Sequence, residues 1–70
     1  MKRRMQILRE RRGWSRADLS RVATLGAPRT SAFELGRATP ASDSVELRRV
    51  ALALGWPIDD AGALLDEIDE

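Results

Sequence analysis

Seventy residues, 33% of them charged and 43% hydrophobic, allow one domain with a modest core and leave room for little else. The chain has no cysteine and no histidine, which excludes a disulfide framework, a thiolate metal site, and the commonest metal ligand and general base. No apolar run approaches the roughly 20 residues that span a bilayer, and the basic start lacks the apolar core of a signal peptide, so one soluble, cytoplasmic domain over residues 1–70, without cofactor or metal, is expected.

Helix 1 is expected from Lys2 to Arg12, with Met5, Ile7 and Leu8 inward, a basic outer face, and Gly13 as its stop. Ser15 stands where it can cap a second helix that carries Leu19, Val22 and Ala23 on one face. Gly26 marks a turn. A third helix then runs from about Ala27 to Leu35, with Pro28 in its first turn, where a missing N–H costs little, and with Thr30 and Phe33 buried at i and i+3. Gly36 closes it. Neither helix is long enough to be stable alone in water, so the pair must share a core with its flanks.

After a loop at residues 39–42, Ser42 or Asp43 is placed to cap helix 4, in which Val45, Leu47, Val50, Ala51 and Leu54 form the apolar stripe up to Gly55. Trp56-Pro57-Ile58 forces a break. Asp59 or Asp60 then caps a fifth helix from about Ala61 to Ile68, with Leu64, Leu65 and Ile68 on one face and carboxylates on the other. No segment alternates with period two, so the expected fold class is all-α, a compact bundle of five helices.

The small net charge of +1 conceals a strong polarity. Residues 1–37 carry ten basic side chains against three acidic ones, a balance of +7, whereas residues 38–70 carry two against eight, a balance of −6. A basic half suits phosphate binding, because each phosphate neutralised by an arginine releases condensed counterions. It coincides with the pair of short helices at residues 15–35, an arrangement that presents a helix to the major groove of DNA.

The residues Ser15-Arg16-Ala17-Asp18-Leu19-Ser20, the central turn, Ser31-Ala32-Phe33-Glu34-Leu35-Gly36-Arg37 and Pro40 resemble the helix-turn-helix of the Cro and lambda-repressor proteins, also called the XRE family. Leu8 to Ser15 upstream and Leu47 to Ile58 downstream are similar to the same pattern, so the resemblance covers nearly the whole chain. It implies a lambda-repressor-like DNA-binding domain and a transcriptional regulator that binds double-stranded DNA. It also implies that Arg9 pairs with Glu34 as a structural ion pair, and that Trp14 fills an apolar packing position. Arg16 occupies the place of a glutamine that grips a phosphate from the start of helix 2, with Ser15 beside it. Arg37 occupies the other phosphate position, supported by Arg11, Arg12 and Arg21. The positions that match base-reading residues are Ala27, Pro28, Arg29, Ser31 and Ala32, where relatives often carry Gln, Ser, Thr, Asn or Arg. Among these only the Arg29 fork can engage O6 and N7 of a guanine.

So sparse a reading surface leaves two alternatives open. The protein reads few bases and leans on shape and phosphates, or it is a protein-interaction module, antitoxin-like or anti-repressor, whose partner meets the acidic C-terminal half. An enzyme is not expected, since Asp59-Asp60 and Asp69-Glu70 lie at helix ends with no base, nucleophile or metal cluster beside them. One copy contacts one half-site, so a weak homodimer is expected, with Leu64, Leu65, Ile68, Trp56 and Ile58 as its interface.

Overall fold

A computed structural model describes residues 1–69. Among them the chain forms a two-residue strand β1 (Lys2–Arg3), helices α1 (Arg4–Arg11), α2 (Arg16–Ala23), α3 (Ala27–Glu34) and α4 (Val45–Leu54), a 3₁₀ helix (Ile58–Leu65), and strand β2 (Glu67–Ile68). The domain is thus mostly helical, with five helices packed around one core. Met5, Leu19, Phe33, Leu47, Val50 and Leu64 are fully buried at its centre, and Ala23, Ala51, Leu54 and Ala61 complete it.

The expectations fail first at the two ends of the chain. Lys2 and Arg3 are not helical; they pair antiparallel with Ile68 and Glu67. Likewise, the fifth helix is not an α-helix from Ala61 to Ile68 but two 3₁₀ turns that meet at a non-helical Asp60. Strands of two residues are too short to carry a period. The chain ends its helix at Leu65 because Asp66, in extended conformation, offers its carbonyl to the Arg4 N–H at 2.8 Å. That bond satisfies one of the orphan donors at the start of α1, which has no side-chain cap. The Arg4 guanidinium adds a bond to the Ala63 carbonyl at 3.0 Å, fastening the two ends together.

Helix α2 begins as its local sequence dictates. The Ser15 hydroxyl accepts from the Asp18 N–H at 3.1 Å, while the Asp18 carboxylate accepts from the Ser15 N–H at 2.9 Å, a reciprocal capping box. The apolar stripe is displaced from its expected phase, since Val22 is 52% exposed and Ser20 is buried in its place. At about 100° per residue, Leu19, Ser20 and Ala23 share one arc and Val22 falls outside it. Ser20 is accommodated because its hydroxyl donates to the Arg16 carbonyl at 2.8 Å and bonds the Thr30 hydroxyl of α3 at 2.7 Å. The pair of hydroxyls therefore joins the two helices without an unsatisfied polar atom.

The turn between α2 and α3 comprises Thr24, Leu25 and Gly26. Its left-handed residue is Thr24, at φ +57°, whereas Gly26 is the extended N-cap of α3. Helix α3 buries Thr30, Phe33 and Glu34, and Gly36 at φ +76° ends the segment. Helix α4 is capped by Ser44, rather than Ser42 or Asp43, through its hydroxyl and the Leu47 N–H. Val45, its first residue, faces solvent. Gly55 closes α4 at φ +69° and also makes room for Arg12, whose Nη2 would lie 3.1 Å from a Cβ at that position.

Candidate nucleic-acid interface

The three buried residues of α3 face the core, so the outer face is left to Ala27, Pro28, Arg29, Ser31 and Ala32, followed by the 48% exposed Leu35. Ala27, Pro28 and Arg29 are exposed, and Ser31 and Ala32 are half-buried. This face is small in relief. It offers a hydroxyl at Ser31 and a guanidinium at Arg29, and the rest is aliphatic.

Glu34 anchors the helix from below. Its side chain is fully buried and accepts from Arg9 Nε at 2.7 Å and Arg9 Nη2 at 3.2 Å, a bidentate pair between α1 and α3. Arg9 Nη1 also donates to the Trp14 carbonyl at 2.6 Å. A third cation joins them: Arg16 Nε lies 3.0 Å from Glu34 Oε1, its side chain 38% exposed. The residue matched to phosphate binding is thus held through Nε against the buried carboxylate while its side chain stays partly exposed.

The remaining cations divide by position. Arg37, immediately past α3, is exposed and forms no ion pair among the described residues. Arg21 pairs with Asp18 at 2.6 Å yet remains 74% exposed. The backbone N–H and hydroxyl of Ser15 hold the Asp18 carboxyl below its ordinary range, and Arg21 adds to the effect. Arg12 goes elsewhere: it stacks over Trp14, 5.1 Å from the ring centroid, and closes α4 through the Leu54 carbonyl at 2.8 Å.

Arg29 has a partner that its surroundings in the sequence do not suggest. Its Nε and Nη2 donate to the two carboxylate oxygens of Glu46 on α4 at 3.0 and 2.8 Å, and its guanidinium lies 4.8 Å above the Phe33 ring. The paired hydrogen bonds raise the Arg29 pKa and lower that of Glu46. Arg3, by contrast, is a residue that the sequence did not single out. Its Nη1 donates to the carbonyls of Phe33 and Ala38 at 2.8 and 3.3 Å, closing the C-terminal end of α3 from strand β1.

The expected dimer face is not assembled. Leu64 is fully buried, because the 3₁₀ helix folds back onto α1 and α4. Leu65 packs against the core, and Ile68 is half-buried in β2. Trp56 is held by Arg4, 5.2 Å over its ring, and donates from Nε1 to the Asp60 carbonyl at 2.8 Å. Only Ile58 among the five is exposed. The chain reaches this arrangement because a protein of seventy residues has a small core, of which Leu64 is one of the largest fully buried side chains. Exposed apolar side chains stand elsewhere, with Val22 and Leu52 lining a shallow groove between α2 and α4.

Among the described residues no cluster of acidic side chains is arranged to hold a metal ion, and no helix is long and apolar enough to cross a membrane. Comparison with protein-family models, curated proteins and solved structures finds no match to this chain.

Proposed function

We propose that the protein is a lambda-repressor-like, DNA-binding transcriptional regulator that lays α3 along the major groove. The observation that carries this reading is the form of α3: its bulky residues Phe33 and Glu34 are turned inward, its outer face carries mostly small side chains, and cations lie in the segments adjoining it, on α2 and just past its end. Arg37 past α3, and Arg16, which shares the single Glu34 carboxylate with Arg9, supply net positive charge where phosphates would run, while Arg21 is offset by Asp18; contacts of that kind position a protein without reading sequence. The first N–H groups of α2 add donors at a positive helix end. Ser31 and Arg29 are the polar groups that can meet base edges, and Ala27, Pro28 and Ala32 can meet only a thymine methyl or the groove wall. With so few readers, two copies on half-sites one turn of duplex apart supply the discrimination that one copy lacks.

Titration of random-sequence duplex DNA across a salt series tests this. Affinity should fall linearly in log–log form, and Arg37→Ala should flatten the slope by about one unit while weakening all duplexes alike. Absence of salt-dependent binding refutes the reading. It would favour the alternative of an interaction module, for which the exposed Val22 and Leu52 groove, rather than the acidic C-terminal half alone, is the relevant surface.

A further inference from the structure

Glu46 belongs to α4, seventeen residues from Arg29, yet it takes two of the guanidinium's N–H groups in a side-on, bidentate contact. A guanidinium has five N–H groups in a rigid fork. With the Nε–H and one Nη2–H committed to Glu46, the second Nη2–H and both Nη1–H groups remain. The second Nη2–H and one Nη1–H form the end edge of the fork, the edge that presents two parallel donors. The guanidinium also lies 4.8 Å over the Phe33 ring, and the Arg29 side chain remains 48% exposed.

We infer that Glu46 is a positioning residue for sequence reading: it holds Arg29 side-on so that the end edge is presented, already oriented, to O6 and N7 of one guanine. This rests on the DNA-binding reading above and specifies it further. A free arginine would have to lose rotamer freedom on binding, and one held in place by a carboxylate and a ring has less to lose. The pair also has a distinctive charge consequence. Arg29 and Glu46 together are neutral, so the contact adds discrimination between sequences without adding to the general attraction for phosphate.

Two measurements test it. In the free protein, the Arg29 Nε–H signal in NMR should exchange with water more slowly than that of exposed Arg48, and Glu46→Ala should abolish the difference; equal exchange rates in the wild type overturn the inference. Selection from a random 20-base-pair duplex library then compares the wild type, Glu46→Ala, Arg29→Ala and the double variant. Wild type should enrich a motif with one strongly preferred guanine per half-site. Glu46→Ala should lose that preference on the order of tenfold, while its affinity for random duplex rises or holds because a negative charge has been removed. Arg29→Ala should lose the same preference, and the double variant should lose no more than either single one. A wild-type motif that survives unchanged in Glu46→Ala overturns the role of Glu46 and leaves DNA binding standing. A wild-type pool with no motif overturns both. Melting curves of Glu46→Ala exclude unfolding as the cause, since the altered side chain lies in the exposed first turn of α4.

Discussion

Replacing Glu34 by alanine removes the carboxylate on which three elements converge. Arg9, 9% exposed, would lose its bidentate partner at 2.7 and 3.2 Å and keep only the Trp14 carbonyl. Arg16, being 38% exposed, can turn to water, so the cost falls mainly on Arg9. Breaking a buried pair by deleting one partner costs about 3–5 kcal/mol. The remaining carbonyl bond to Arg9 places this case at the lower end, about 3 kcal/mol. For a domain of this size one kcal/mol shifts the midpoint by roughly 4–8 °C, so Glu34→Ala should melt roughly 12–24 °C below the wild type. Thermal unfolding of Arg9→Ala, Glu34→Ala and the double variant, followed by circular dichroism, isolates the interaction, with a coupling of about 2 kcal/mol expected. An Arg9→Met, Glu34→Met variant should recover much of the loss, because what is costly is an unpaired buried charge rather than the lack of a pair. Single-variant losses that add to the double within about 0.5 kcal/mol would refute the reasoning.

Ser15→Ala should cost about 1 kcal/mol, since the Asp18 N–H loses its acceptor, and a urea midpoint equal to that of the wild type would argue against the capping box. Thr24→Gly should raise the melting temperature: a β-branched residue at φ +57° is strained by about 1 kcal/mol, and glycine is not; a lower melting temperature would contradict this. The folded-state pKa of Asp18 lies below its ordinary 3.8, so the stability it contributes is present above that value and disappears as pH falls through the lower, folded one. Wild type should therefore exceed Asp18→Asn in urea midpoint near neutrality, and the gap should narrow as pH falls below 3.8 and close once the folded-state carboxyl is protonated. A gap that does not narrow as pH falls would assign the effect to something other than the carboxylate charge.

How much of this was legible in the chain depends on the distance over which each choice is made. Ser15 and Asp18 are three residues apart and need only each other, so the start of α2 follows from local sequence. The same holds for Pro28 in the first turn of α3 and for Gly36 and Gly55, whose positive φ few other residues tolerate. Leu19, Thr30, Phe33, Leu47, Val50 and Leu54 also went inward as their spacing implies. Periodicity defines the width of a buried stripe but leaves its edges to the neighbouring helix. Only packing decided that Ser20 is buried against Thr30 while Val22 and Val45 face water. The ends of the chain were decided in the same way: two residues near each terminus became strands because each supplied the backbone partners that the other lacked. Arginine partners were the least legible of all. A long, flexible cation takes the carboxylate or carbonyl nearest in space, and for Arg29 and Arg3 those groups lie seventeen and thirty residues away. Composition supplied the charges of the α3 face, but which of them are held and which are free was settled when α1, α3 and α4 met.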